Sequence, residues 1–359
     1  MRKSWKSIIA MCIVTAMAVT ILAGCGSSGN AAQSGASGAA ASNNANTASS
    51  DVITLKFGCC ALPGDVAYDG AEYWTNLVNE RSGGHLNVEL YGSGVLGSDK
   101  DTTEACQSGG LALSTCGTTN LSSFCNAFSA LELPYVVSSD NKEAYYDAVD
   151  NGELGEYFTE ELAKVGLVAI MYGDGGWRRW HTVEDVPITC AADFKNIKLR
   201  TTSSEVDNAL VQALGASPLS LGITDVYTSL SQGTVDGLGV PYLTIVSNGW
   251  QEITTNTFVT DYNYYMHVIV MNQAQWNALS AEDQQLLRDC AAEAVQWDRE
   301  KYWADDANYE KTMQDAGCTF YYASEDDTAE LQEIGQKVWD QMASSTDAHA
   351  LELIQATQS

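Results

Sequence analysis

One stretch, residues 194–241, limits the possible folds more than any other part of the chain. Short apolar runs alternate there with helical spacings of apolar residues, in the order strand, helix, strand, helix, strand. The first predicted strand, residues 197–201, contains Arg200 near its carboxyl end and is followed by a polar turn. Ligands of open α/β sheets bind at the carboxyl edge of the strands. The stretch therefore predicts an α/β unit with Arg200 at its ligand-binding edge.

The start of the folded chain shows the same alternation. Residues 52–58 and 86–91 are predicted strands. One helix is predicted over residues 69–81, and a second, short helix follows residues 92–97 and ends at residue 108. This order favours a parallel sheet covered by helices. Residues 167–172 and 264–271 are further predicted strands. The glycine-rich residues 173–176 permit a sharp chain path, and we place the first crossing between two domains there.

A long helical pattern follows Ser280, which is a typical N-cap residue. No glycine or proline interrupts residues 281–315. At 1.5 Å per residue such a helix is roughly 52 Å long, which exceeds the width of one domain. An unbroken helix must therefore lie across two domains. Two shorter helices broken near Trp303 fit the sequence equally well. Residues 318–322 and a helix over residues 325–343 are expected to complete the second domain.

The N-terminus has the pattern of a secretory signal. Basic residues precede an apolar run over residues 8–22, and small residues precede Cys25. This is a lipoprotein pattern, in which residues 1–24 are removed and Cys25 is lipidated. A retained membrane anchor is the alternative, but the run is shorter than the ~20 residues that span a bilayer. Residues 25–50 contain only small and polar residues, which predicts a flexible tether.

Charge and cysteine content restrict the partners and the chemistry. The chain has 46 acidic and 18 basic residues and a net charge of -28, which disfavours nucleic acid and anionic lipid as partners. Eight cysteines follow Cys25, and the sequence leaves open whether they are disulfides or buried thiols.

Signals of an enzyme are absent from the sequence. None of the 4 histidines has metal-ligand spacing, and no nucleophile elbow, phosphate loop or dinucleotide motif occurs. We therefore expect no cofactor, no bound metal and no catalysis. A pair of carboxylates in a cleft, as in a carbohydrate-active enzyme, is the alternative.

Arginine is scarce, which makes the position of each one informative. Only six follow residue 24, and three of them are Arg178, Arg179 and Arg200. Arg200 ends an apolar strand and Arg178 lies between two tryptophans, so both are expected to be sheltered, whereas Arg179 is expected at the surface. A sheltered guanidinium needs an anion, and a carboxylate fits it best. That anion is either a ligand or an internal residue such as Glu205 or Asp236.

The stretch of residues 194–241, together with shorter segments before it, resembles the TRAP-transporter solute-binding proteins. The matching segments follow the order and spacing of that family, and they are residues 94–100, 131–135, 193–200, 214–218, 226–227, 230, 232–233, 235–237 and 241. The resemblance implies a two-domain periplasmic-binding-protein-like α/β fold with mixed sheets and a long helix spanning both domains. Domain I would comprise residues 51–175 with 264–303, and domain II residues 176–263 with 304–359.

The resemblance also implies roles for individual residues. Arg200 corresponds to the carboxylate clamp of the family, and Arg178 to an arginine that lies near the ligand or supports the clamp. Lys100 stands where the family often has an arginine, so it is either a ligand contact or a solvated lysine. After residue 237 the family commonly has glutamine, glutamate and asparagine, but this chain has Leu238, Gly239 and Val240.

This departure predicts a less polar cleft around Val240, and hence a monocarboxylate ligand with an apolar or aromatic body. Aromatic residues that could supply stacking walls are Trp177, Trp180, Tyr242, Tyr262, Tyr264 and Tyr265. Core packing is the alternative for each of them.

The predicted function is capture of a small organic acid outside the cytoplasm and its delivery to the membrane subunits of a TRAP permease. Such a protein would be held at the outer face of the membrane by lipid on Cys25. A lipoprotein that presents its ligand to a membrane sensor is the alternative with the same binding chemistry.

Overall fold

The structure, a computed structural model, describes residues 52–358. The predicted signal, Cys25 and the tether lie outside the described residues. Over the described range the strands are β1 Ile53–Gly58, β2 Leu86–Tyr91, β3 Leu113–Gly117, β4 Leu167–Thr182, β5 Lys198–Thr201, β6 Ser217–Ser220, β7 Gly237–Val240, β8 Asn256–Asn272 and β9 Thr319–Tyr322. The α-helices are α1 Val66–Arg81, α2 Asp99–Gln107, α3 Thr118–Leu121, α4 Lys142–Asp150, α5 Glu153–Lys164, α6 Glu205–Ala213, α7 Val226–Ser231, α8 Tyr242–Ser247, α9 Gln273–Ala278, α10 Ala281–Asp315, α11 Glu325–Met342 and α12 Ala348–Ala356.

All of these strands join one mixed sheet in the order β2-β1-β3-β8-β4-β7-β5-β6, with β9 beside β8. Two parallel sets, β2-β1-β3 and β7-β5-β6, lie on either side of the antiparallel pair β4 and β8. β8 pairs with β3 through Met271 to His267, and with β9 near its other end. The two long strands therefore run through both parallel sets, as the predicted mixed α/β fold requires.

The predicted strand, helix, strand, helix, strand order of residues 194–241 is confirmed as β5, α6, β6, α7 and β7. Ser204 caps α6 by accepting from the backbone N–H of Asp207, which ends β5 in a sharp turn. The parallel pairing of β5 with β6 and β7 places the carboxyl ends of these strands at one edge.

The prediction that a strand ends at residue 172 is wrong, because β4 continues to Thr182. The glycines at residues 173–176 serve close packing inside this strand instead. A Cβ at Gly173 would lie 2.1 Å from Nε2 of His267, and one at Gly176 would lie 1.6 Å from the Tyr302 hydroxyl. The register of β4 against β8 also shifts between Asp174 and Gly176, which indicates a bulge. β8 is likewise longer than the predicted strand of residues 264–271.

The long helix is confirmed as one unbroken helix of 35 residues, α10. Its first half packs with β1 and α1 through side chains such as Leu287 and Ala294. Its last turns pack with β7 and α8 through Met313. The helix thus contributes to the cores on both sides of the central strand pair, and the alternative of two shorter helices is wrong.

The predicted division between domains I and II stays a prediction. Several contacts cross it, and among them α12 packs against α5 and the 3-10 helix Asn126–Glu132. α12 was not predicted from the sequence. The eight cysteines within residues 52–358 are all free thiols. In the same range, no helix combines the length and apolar character needed to cross a membrane.

Candidate functional site

A cavity of about 80 Å³ lies where the two parallel strand sets face each other. Its walls include Cys59 and Cys60 after β1, Gly117 at the end of β3, Arg200 in β5 and Val240 in β7. These positions lie at carboxyl ends of parallel strands, the edge at which α/β sheets bind ligands. The cavity is therefore the candidate binding site.

Arg200 is a buried cation in the wall of this cavity. Its side chain is 4% exposed, and its Nε and Nη2 donate to the Leu221 carbonyl at 3.0 and 2.8 Å. Burial lowers the pKa of the guanidinium. Within residues 52–358 it makes no ion pair. Neither named internal partner contacts it, because Asp236 binds Lys198 and Glu205 is exposed. The carboxylates of Asp207 and Asp99 favour its charged form without an ion pair.

Arg178 also lines the cavity but already has an anion. Its Nη2 lies 3.2 Å from both carboxylate oxygens of Asp207, and the two side chains are 4% and 2% exposed. Nε and Nη2 also donate to the Gly239 carbonyl at 3.0 and 2.8 Å. Burial acts against the charged form, but the Asp207 carboxylate raises the pKa of Arg178. Arg178 is therefore neutralised within the protein.

Polar contacts connect the two sides of the cavity. Oδ1 of Asn120, in α3, accepts from the backbone N–H and the hydroxyl of Ser203 at 3.3 and 3.1 Å. The Ser247 hydroxyl donates to Asp65 at 3.2 Å. Since these bonds join elements of the two strand sets, the cavity is enclosed between them.

Two carboxylates share the cavity wall with the arginines. Asp65 caps α1 by accepting from the Ala67 N–H at 3.0 Å, and burial raises its pKa to about 6. Asp99, at the start of α2, accepts from the Cys60 thiol at 2.6 Å, from the Gly117 N–H at 3.2 Å and from Asn120 at 3.1 Å. Neither carboxylate forms an ion pair within residues 52–358.

The structure brings three of the predicted site residues into the cavity wall, and these are Arg200, Arg178 and Val240. Lys100 lies instead in a neighbouring groove, where it is exposed and sits 3.8 Å from Glu104.

The predicted aromatic walls mostly lie elsewhere. Five buried aromatic residues do not line this cavity, and they are Trp177, Trp180, Tyr242, Tyr262 and Tyr264. Trp177 packs on Tyr264, and Tyr262 stacks on Trp180 with ring centroids 4.4 Å apart. Tyr265 does line the cavity.

The prediction that Arg179 lies at the surface is wrong. Its side chain is buried, and its Nε lies 2.6 Å from Asp261. The guanidinium also packs on the Tyr242 ring at 3.8 Å. Arg179 is therefore a structural cation, and unlike its neighbour Arg178 it does not line the cavity.

Several polar residues of the wall were not predicted from the sequence, namely Asp65, Asp99, Thr119, Asn120 and Thr202. Asp65 could have been found from the turn signal Pro63-Gly64 ahead of a helix, which marks an N-cap. Thr202 directly follows the arginine strand. No local sequence pattern marks Thr119 and Asn120 as cavity residues, because only the fold brings α3 to the cavity.

Residues 57–346 match the family model "Bacterial extracellular solute-binding protein, family 7". The chain belongs to this family. It is 26% identical, over 86% of its length and 92% of the relative, to the C4-dicarboxylate-binding periplasmic protein DctP of Rhodobacter capsulatus. The family is that of the TRAP solute-binding proteins, so the resemblance seen in the sequence is confirmed.

Solved structures of TRAP periplasmic solute-binding proteins have the same fold. One from Ochrobactrum anthropi, with its C-terminus bound in the ligand pocket, is 28% identical and gives a TM-score of 0.73 over 85% of this chain and 94% of that one. One from Sulfurospirillum deleyianum with bound succinate gives 0.79 at 22% identity, over 85% and 99% of the two chains. The predicted fold class is thereby confirmed.

Proposed function

We propose that this TRAP solute-binding protein captures a small organic acid in the cavity and delivers it to a membrane permease. The observation that carries the proposal is Arg200, a buried guanidinium in the cavity wall with no carboxylate of its own within the described range. A buried charge is costly unless it is paired. A ligand carboxylate would supply the missing anion through charge-assisted hydrogen bonds.

The names of the relatives agree with this chemistry. Succinate is bound to the Sulfurospirillum deleyianum protein, and β-D-galacturonate to one from Sulfitobacter. Both molecules are carboxylates. The relatives named are solute-binding proteins and not enzymes, which supports a binding role for this chain.

Arg200 would act as the clamp, and Arg178 as a second donor whose charge Asp207 already balances. Because β4, β8 and α10 run through both strand sets, bending in these elements would open the cavity and let it close over a ligand. A ligand shifts that equilibrium only by its preference for the closed form. The permease would then recognise the closed, loaded protein, which lipid on Cys25 would hold at the membrane.

Thermal unfolding of the full chain tests the proposal with a panel of aliphatic, aromatic, keto and sugar acids, plus neutral sugars. A ligand at about 100 times its Kd stabilises by roughly 2.7 kcal/mol, which raises Tm by several degrees. We expect one class of acid to raise Tm, and Arg200→Met to abolish the shift.

Arg81→Met is the matched control, because Arg81 is an exposed arginine that pairs with Glu293 away from the cavity. It should leave the ligand-induced shift unchanged. If no acid raises Tm, or if Arg200→Met is protected as well as the unmodified chain, the proposed carboxylate clamp is wrong.

A further inference from the structure

The charges in the cavity wall do not balance with a simple carboxylate. The wall contains Arg178, Arg200, Asp65 and Asp99. Arg178 is neutralised by Asp207 from behind the wall. That leaves one cation, Arg200, and two carboxylates that face the same enclosed space without an ion pair within residues 52–358. A ligand carboxylate would neutralise Arg200 and leave both acidic groups without a counter-charge.

Asp65 has the most capacity left to bind a ligand donor. Its side chain is 93% removed from solvent, since it is 7% exposed. Among residues 52–358, Oδ1 accepts only the Ala67 N–H, and Oδ2 accepts only the Ser247 hydroxyl. A carboxylate has about four lone-pair sites, so roughly two remain open toward the cavity. Asp99 has less capacity, because three protein donors already bind its two oxygens.

Within residues 52–358, no side-chain cation forms an ion pair with Asp65. His267 is the nearest candidate and lowers the pKa of Asp65, but the ring lies against Asp298 at 3.3 Å instead. Other ionisable groups that interact with Asp65 are acids, thiols and phenols, and they are Asp69, Cys59, Cys60, Tyr265 and Tyr309. Lys301 lies beside Asp69, with which it pairs at 3.7 Å. Among residues 52–358, Asp65 therefore has no cation in contact with it, although His267 acts on it from a distance, and the ligand would supply the contacting cation.

We propose that the ligand is a zwitterion, a small amino-acid-like molecule whose carboxylate binds Arg200 and whose ammonium group binds Asp65. This inference rests on the proposed function and specifies the class of acid. The ammonium group supplies three N–H donors and one positive charge, which match the open sites of Asp65. Asp99 strengthens the negative potential around that group.

The same arrangement rejects dicarboxylates. A second carboxylate in place of the ammonium would face Asp65 and Asp99 inside an enclosed wall, where like charges repel each other strongly. Val240, rather than an amide side chain, adds no donor to hold it. The wall thus selects by charge between molecules of nearly equal size.

Calorimetric titration of the full chain with matched acids tests this inference directly. The probes are sets that differ in one group, namely alanine, lactate and propanoate; valine, 2-hydroxy-3-methylbutanoate and 3-methylbutanoate; and 4-aminobutanoate, butanoate and succinate. We expect one amino acid to bind at least about tenfold more tightly than the matched acids of its set, which corresponds to about 1.4 kcal/mol.

Asp65→Asn tests the assigned partner. Asparagine is as good an N-cap as aspartate, so α1 keeps its cap while the charge is lost. We expect the variant to lose the advantage of the amino acid and to keep its affinity for the matched acid. Asp347→Asn is the control, because Asp347 caps α12 in the same way but lies outside the cavity.

A measurement on the unmodified chain gives the same information if the variant does not fold. Lowering the pH below about 6 protonates Asp65, so the amino acid should lose affinity while the matched acid does not.

Each outcome bears on one of the two proposals. Acids without an ammonium group that bind as tightly as the amino acids, and lose binding in Arg200→Met, would overturn the zwitterion and leave the proposed function intact. If neither amino acids nor acids bind, both proposals fail.

Discussion

The surroundings of Arg178 and Arg200 differ in one respect that decides their roles. Both guanidiniums are buried, both donate twice to a backbone carbonyl, and both line the cavity. Around Arg178 there are two acidic residues, Asp207 in contact and Glu132 nearby. Around Arg200 there is no carboxylate within 4.0 Å among residues 52–358.

This comparison shows that the arginines alone do not identify a ligand site. Two buried cations of the same kind become a structural pair and a candidate clamp because a carboxylate contacts only one of them.

Arg178→Met should have the largest effect on stability. It leaves Asp207 as a buried charge without its cation, which typically costs about 3–5 kcal/mol. Chemical denaturation at neutral pH measures this loss. Arg81→Met, which breaks an exposed pair, should cost no more than about 1 kcal/mol. Equal losses of stability in the two variants would show that the buried pair of Arg178 and Asp207 stabilises the protein no more than an exposed pair does.

Glu132 should make the stability of the protein depend on pH. It is 4% exposed, neither of its oxygens has a hydrogen-bond partner within the described range, and burial raises its pKa to about 8. The folded state therefore keeps a proton that the unfolded state releases near pH 4.5. The stabilisation is complete below that pH and is lost as the pH rises toward 8.

Between pH 5 and 7 the loss from this group is on the order of 3 kcal/mol, since each pH unit contributes about 1.4 kcal/mol. Glu132→Gln removes this titratable group. The stability of the variant relative to the unmodified chain should therefore increase as the pH rises. Denaturation at pH 5, 6, 7 and 8 measures the slope. Glu330→Gln changes an exposed glutamate and should leave the slope unchanged. An unaltered slope in Glu132→Gln would mean that Glu132 is ionised in the folded protein.

Arg200→Met makes at Arg200 the same substitution that Arg178→Met makes at the paired arginine. It removes a buried charge that has no carboxylate, which favours folding, but it also removes two donors from the Leu221 carbonyl, which costs about 1 kcal/mol. We expect the ligand-free stability to stay within about 1 kcal/mol of the unmodified chain. Denaturation without ligand measures it. A loss as large as that of Arg178→Met would show that Arg200 is a structural residue.

The sequence predicted the parts of the fold that local patterns control. The strand and helix alternation of residues 194–241 and the unbroken α10 both follow from apolar spacing and the positions of glycine and proline. The length of β4 was missed because its glycines at residues 173–176 are typical of a turn. Only the tertiary structure shows that His267 and Tyr302 fill the space that side chains at those glycines would need.

The candidate site was predictable in its cations and not in its anions. Arg200 and Arg178 could be singled out because arginines are few in this chain. Asp65 and Asp99 are two among 46 acidic residues, and the turn signal before Asp65 marks only a helix N-cap and not a cavity residue. The aromatic residues were misplaced for a related reason. Strand periodicity does not say which face of β8 meets the cavity, and Tyr265 faces it whereas Tyr264 packs with Tyr145.

The smallest expected effect comes from Val240, which lies beside the Gly239 carbonyl that Arg178 binds. Val240→Asn introduces the amide that the resemblance leads one to expect at this position. One added hydrogen bond to a second ligand carboxylate is worth about 1 kcal/mol, or roughly fivefold in affinity. Titration with succinate and butanoate should therefore show a gain for succinate alone. Val240→Leu introduces a side chain that is similar in shape to asparagine but has no amide, so it should not increase the affinity for succinate. If both variants favour succinate equally, the size of the cavity and not the missing amide limits binding of dicarboxylates.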